Sequence, residues 1–250
     1  LAALLNHQNV VHIYDFGSAE DSYFISMEYL FGKNLQACWR QARDKEVPIS
    51  LENALYIVSR VCSGLAYAHE LKDFQGNPLN IIHRDISPQN IFITYEGDVK
   101  ILDFGIAKAA SQSTVTQFGM IKGKVAYMSP EQAAGKPVDQ RSDLFSVGIL
   151  LYELVTGNRM FTGDSTIQIL TKVRDDEYDS PESVVLGLPP RIYAILNKAV
   201  AKEPQDRYQS CSQMFADLEE CMIELSLRPT GRGLARYMKE LFGEEIADED

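Results

Sequence analysis

His83-Arg84-Asp85 is followed by Asn90, five residues beyond the aspartate, and by Asp103-Phe104-Gly105, which starts eighteen beyond it. No other feature constrains the chain as much. Between Asn90 and Asp103 lie two short apolar runs, Ile91-Phe92-Ile93-Thr94 and Val99-Lys100-Ile101-Leu102, around the turn residues Glu96-Gly97-Asp98. Such runs flanking a turn predict a hairpin, and a hairpin brings Asn90 and Asp103 to one edge. The residue types suit phosphoryl transfer. Asp85 is a carboxylate to orient and deprotonate an attacking hydroxyl, and Asn90 and Asp103 are hard oxygen donors to hold Mg²⁺ against nucleotide phosphates. Either tripeptide alone fits an ordinary surface loop; the pair at this spacing, around a hairpin, carries the specificity.

On these residues the chain resembles the protein kinase family, from residue 1 to about residue 222. Downstream landmarks agree. Ser129-Pro130-Glu131 stands where the family closes its activation segment, and Ser142-Asp143-Leu144-Phe145-Ser146-Val147-Gly148 resembles the start of its central buried helix. The resemblance pairs Arg207 with Glu131, which is physically sensible because a buried carboxylate without a cation is costly. It makes Asp85 the catalytic base beside Arg84, Asn90 and Asp103 the Mg²⁺ ligands, Phe104 beside Gly105 a packing switch, and His83 a structural residue against Phe104. It also implies ATP and protein substrates. The run Ala126 to Gln132 is most similar to bacterial Ser/Thr kinases. The implied fold is α+β: a mainly helical C-terminal lobe with remnant strands of an N-terminal lobe and a hinge. The expected boundaries are 1–27 for the remnant, 28–226 for hinge and helical lobe, and 227–250 for a last helix and acidic tail.

The family places a glycine-rich phosphate loop and a strand lysine ahead of the segment where Leu1 falls, so an N-terminally truncated piece with little activity of its own is expected. Leu1 to Leu5 resemble the end of the regulatory helix, and Val10 to Phe16 and Tyr23 to Met27 two strands whose apolar faces would be exposed and prone to self-association. Lys33 falls after the hinge, out of reach of the phosphates. Met27-Glu28-Tyr29-Leu30 resembles that hinge, with Met27 as gatekeeper, backbone groups of Glu28 and Leu30 on the adenine edge, and Phe92 beneath the base. Plain core packing is the alternative for Met27 and Phe92.

Two positions depart from the Ser/Thr pattern. The family usually carries lysine two residues after the catalytic aspartate and threonine in the activation segment, whereas this chain has Ser87 and Lys124. The expectation is that the Lys124 ammonium enters the space left by Ser87 and supplies charge near the transferred phosphate; a solvent-exposed Lys124 in a weakened enzyme is the alternative. The competing function class is a non-catalytic pseudokinase or scaffold, against which the presence of Asp85, Asn90 and Asp103 counts.

Apolar residues make up 45% of the 250, enough for a sizeable core, and a formal charge of −11 argues against nucleic-acid or anionic-membrane surfaces. Cys38, Cys62, Cys211 and Cys221 lack metal-ligand spacing, so reduced buried thiols and a cytoplasmic location are expected. No apolar run approaches a membrane span. His7, His12 and His69 have no clustered partners, so no histidine metal site is expected. Ser50-Leu51-Glu52-Asn53 predicts a helix start, with helices near 191–202, 210–226 and 232–242 to follow. Lys72 to Asn80 reads as a surface excursion. Residues 106–122 read as an activation loop whose Ser111, Ser113, Thr114 and Thr116 are candidate phosphate acceptors, with Arg84 placed to pair a phosphate there. Residues 244–250 read as disordered.

Overall fold

Short polar side chains set where the helices begin. Asn34 accepts a hydrogen bond from the Ala37 N–H and opens α1 (Leu35–Asp44), and Ser50 accepts from the Asn53 N–H and opens α2 (Leu51–Glu70). Ser129 and Gln132 form a reciprocal capping box on the short α3 (Pro130–Ala133), Asp139 caps α4 (Gln140–Thr156), and Ser165 caps α5 (Thr166–Asp175). α6 (Pro181–Val184) and α7 (Pro190–Ala199) open on proline, and Ser210 caps α8 (Cys211–Glu224). The last helix is α9 (Gly231–Glu249). This computed structural model describes residues 5–19, 22–104 and 123–249. Leu1 to Leu4, Gly105 and the loop carrying Ser111, Ser113, Thr114 and Thr116 lie outside the described residues.

Among the described residues, two small antiparallel sheets accompany the helices. One pairs β1 (Ile13–Ala19) with β2 (Ser22–Met27); the other has the order β3 (Gly32–Asn34), β4 (Ile91–Thr94), β5 (Val99–Ile101). The predicted hairpin is present, with Ile91 opposite Ile101 and Ile93 opposite Val99. β1 begins three residues later than the expected Val10. Val10 and Val11 are instead drawn to β5, where the Val11 N–H donates to the Ile101 carbonyl at 2.9 Å and the Ile101 N–H donates to that of Asn9. Val10, Val11 and Ile13 are therefore buried, contrary to the expected exposed face, whereas Tyr14, Phe24, Ile25 and Met27 are exposed as expected.

The core lies between α2, α4 and α8 and the three-stranded sheet. α4 is apolar nearly all round, and Asp143 to Leu154 are all buried, as befits a helix enclosed on every side. It stops at Gly157, whose φ of 70° is the left-handed cap that glycine adopts without penalty. The four cysteines are buried and unpaired. Burial pushes the Cys38 thiol up to about 12, which keeps it protonated and inert.

The tail expected to be disordered is helical through Glu249. Phe242 leaves helical geometry (φ −126°), a break after which the chain resumes as helix. Its ring lies 6.2 Å from Tyr95, Glu245 pairs with Lys33 at 2.8 Å, and Ile246 packs on the core. The acidic stretch is thus held by the Lys33 cation and by its own Ile246 against the core.

Candidate active site

One buried carboxylate organises the His83-Arg84-Asp85 loop. Asp143, near the start of α4, accepts the backbone N–H groups of His83 and Arg84, each at 2.8 Å, and meets His69 Nε2 at 2.8 Å. Burial alone would raise the Asp143 carboxyl, but the His69 hydrogen bond and the remaining contacts hold it below its ordinary value. Two consecutive N–H groups can reach one carboxylate because Arg84 sits at φ 64°, a sparsely populated conformation for a residue with a side chain.

His83 passes that order to the second acidic position. Its Nδ1 accepts the Asp85 N–H at 3.2 Å, so Nε2 carries the proton and donates to the Leu102 carbonyl at 2.8 Å, one residue before Asp103. Burial lowers the His83 pKa and keeps the ring neutral, consistent with those two roles. Phe104 packs edge-on against it, ring centres 4.7 Å apart. Asp103 stands at φ 52° with an exposed carboxylate. Asn90 donates its amide to the Asp85 carbonyl at 2.7 Å, and its backbone carbonyl accepts the Leu102 N–H. The amide oxygen of Asn90 and the carboxylate of Asp103 are hard donors on one edge of the hairpin and suit an oxygen-seeking cation.

Lys124 reaches the site from the far side of the loop. Its ammonium donates to Asp85 Oδ2 at 2.7 Å, with both side chains about a quarter exposed. Ser87 is buried, and its hydroxyl has no hydrogen-bond partner among the described residues. The Lys124 ammonium is thus paired with the Asp85 carboxylate, two residues before Ser87 in the chain.

The segment expected to be the hinge leaves β2 at Met27. The Glu28 N–H donates to the His12 carbonyl, and the Glu28 carboxylate takes the His12 N–H at 2.8 Å and the Lys100 ammonium at 2.7 Å. Burial would raise that carboxyl; the Lys100 hydrogen bond leads the contacts that bring it below its ordinary value. The Glu28 carbonyl and Leu30 N–H have no backbone partner among the described residues. Phe92 is half-buried on β4 opposite Asn34. Lys33, on β3, is engaged with Glu245 at 2.8 Å.

Below the loop, Arg207 grips Glu131 with two parallel hydrogen bonds at 2.8 and 2.9 Å, and the Ser142 hydroxyl adds a third. Burial raises the Glu131 carboxyl, but the Arg207 guanidinium and Ser142 together depress it. The arginine is fully buried, and its remaining N–H groups donate to the carbonyls of Ala201, Lys202 and Arg141.

Sequence reasoning missed a second polar cluster beside Asp85. Glu153, in the apolar run of α4, accepts the Tyr127 hydroxyl at 2.5 Å and lies 3.3 Å from Arg159. Arg159 also donates to the Tyr127 oxygen, and its guanidinium lies 4.7 Å from the Trp39 ring centre. Burial pushes Glu153 up to about 7. A lone acid in a buried helix was the available signal; its partners, distant in sequence, were not.

A family model described as the protein kinase domain matches residues 1–218. The chain belongs to the protein kinase family. Similar curated proteins include "Tyrosine-protein kinase MasK" of Myxococcus xanthus, 43% identical over 98% of this chain and 38% of that protein. "Serine/threonine-protein kinase PrkC" of Bacillus subtilis is 38% identical over 87% of the chain and 32% of its own length. "Serine/threonine-protein kinase PknB" of Mycobacterium tuberculosis is 40% identical over 87% and 34%. The chain therefore spans roughly a third of the length of these relatives. Among the described residues no helix is long and apolar enough to cross a membrane.

Proposed function

We propose that this kinase-family chain carries the phosphoryl-transfer centre of an enzyme acting on Ser and Thr hydroxyls of proteins, with ATP as donor. The observation that supports it best is the Asp85–Lys124 contact at 2.7 Å, beside the oxygen donors Asn90 and Asp103. Asp85 accepts the proton of the acceptor hydroxyl as that oxygen bonds to the γ-phosphorus and the bond to the bridging oxygen of ADP breaks. Lys124 orients the carboxylate and sets a positive charge beside the phosphoryl oxygens. Asn90 and Asp103 would hold Mg²⁺ through amide and carboxylate oxygens. The ion neutralises phosphate charge when bound. The Glu28 carbonyl and Leu30 N–H read the adenine edge, with Met27 and Phe92 against the base.

Tyrosine is the second acceptor reading, favoured by the printed name of the Myxococcus relative. The four buried thiols support a cytoplasmic setting. Incubating the full-length protein with γ-labelled ATP and protein acceptors, followed by phosphoamino acid analysis, tests the reading. Label on serine or threonine supports it, label on tyrosine alone supports the second, and nucleotide binding without transfer returns the scaffold reading.

A further inference from the structure

Next to Asp85 is a small pocket whose lining includes Gln36, Ser87, Gln89, Lys124, Tyr127 and Arg159. Its charged lining is cationic, and its amides and hydroxyls can donate as well as accept. Lys124 and Arg159 are cations; Ser87 is 2% exposed and its hydroxyl has no partner among the described residues. The structure gives the Gln36 and Gln89 side-chain amides no hydrogen bond among the described residues.

The acids near the pocket do not face it freely. Asp85 is engaged by Lys124, and Glu153 lies behind Tyr127, 1% exposed, with its oxygens taken by Tyr127, Arg159 and the Met160 N–H. Arg159 is the more open partner, at 40% exposure, and Trp39 and Tyr127 flank its guanidinium at 4.7 and 5.7 Å. A planar guanidinium steadied by two rings, with N–H groups still open to solvent, suits an oxyanion. A basic side chain would meet the exposed Arg159 guanidinium, whose own acid, Glu153, is buried.

We propose that this pocket receives an anionic side chain of the protein substrate close to its acceptor hydroxyl, and that Arg159 sets this preference. The inference rests on the kinase reading above and specifies its substrate class: acceptor hydroxyls flanked by a carboxylate or a phosphorylated residue.

The test uses the full-length protein and acceptor peptides in which each position within three residues of the hydroxyl carries Glu, phosphoserine, Gln or Arg in turn. At one position kcat/KM for Glu or phosphoserine should exceed that for Arg by about tenfold or more, mostly in KM, as charge-assisted hydrogen bonds are worth. A larger effect for phosphoserine than for Glu would make the primed substrate the natural one; the reverse would make it an acidic sequence. Arg159→Lys should keep part of the preference. Glu153→Gln combined with Arg159→Gln, which removes the ion pair as a unit, should abolish it. Fluorescence anisotropy with the same peptides reads binding without turnover. Preferential binding of acidic peptides with no phosphate transferred would refute the kinase reading and leave this inference standing. Equal transfer and equal binding of acidic and basic peptides would overturn the inference, as would a preference that survives loss of the Arg159–Glu153 pair.

Discussion

Lys124 and Asp85 are 39 residues apart in sequence and 2.7 Å apart in space, ammonium to carboxylate. The position from which kinase-family Ser/Thr members usually offer a lysine holds Ser87, buried and without a hydrogen-bond partner among the described residues. In the proposed mechanism, Lys124 supplies that charge at the carboxylate from another loop. In the full-length protein, Lys124→Thr alone should lower kcat/KM by about 10²-fold or more, the loss expected for one transition-state charge contact. Ser87→Lys alone should also impair, by crowding two cations around Asp85. The double substitution should recover much of the activity, because each change repairs the other's defect and neighbouring sites couple. Steady-state kinetics on the four proteins decides it, and simple additivity would place Lys124 outside the reaction.

The Glu131–Arg207 pair makes the fold acid-sensitive in a defined direction. The folded pKa of Glu131 lies below its ordinary value of 4.5, so in the native state the carboxylate stays charged at pH values where the unfolded chain takes up a proton. Its stabilisation is complete above about 4.5 and is lost as pH falls through the lower folded value. Glu131→Gln should flatten that part of the stability profile. It should also cost about 3–5 kcal/mol near neutrality, because Arg207 is left buried without its anion. Denaturant unfolding followed from pH 7 to pH 3 reads both effects.

Gly97 joins the catalytic hairpin to the last helix. It turns at φ 89°, and a Cβ there would lie 1.9 Å from the Gly231 carbonyl oxygen at the start of α9. Gly97→Ala combines a left-handed backbone penalty with a clash against main chain that a side-chain rotation cannot relieve. A loss of about 2–4 kcal/mol is expected by thermal or denaturant unfolding. Gly135→Ala, at a positive φ with open space around it, should cost no more than about 1 kcal/mol.

The ribbon of β1 and β2 exposes Tyr14, Phe24, Ile25 and Met27, and Tyr29 just beyond it is 87% exposed. Residues 1–250 on their own should self-associate through this face despite the net charge of −11. Light scattering should report a mass that rises with concentration. Phe24→Lys should lower it; a monomer at all concentrations would remove this face as a cause of association.

The hairpin and the cap at Ser50 were legible because they are local: alternating apolar runs, a turn triplet, and a hydroxyl three residues before the N–H it accepts. The Glu131–Arg207 contact was legible only through the resemblance, as nothing within either segment points to a partner 76 residues away. The Arg159 cluster was not legible. Trp39, Tyr127, Glu153 and Arg159 come from three separated stretches and meet only once α1, the turn Val125–Tyr127 and α4 have packed. The start of β1 shifted because Val10 and Val11 prefer a tertiary partner, Ile101, to continuing their own strand. The tail was misjudged for a related reason: its order depends on Lys33 and Tyr95, which no window around residue 245 contains.

The most direct test of the account is label transfer from γ-labelled ATP by the full-length protein and by its Asp85→Asn variant, with folding of both checked by thermal unfolding. The carboxamide keeps the shape of the side chain and cannot take the acceptor's proton. The account predicts equal stability within about 1 kcal/mol and a kcat reduced by about 10²–10⁴-fold, the usual contribution of a positioned base. An Asp85→Asn protein that transfers phosphate at the parental rate would contradict it.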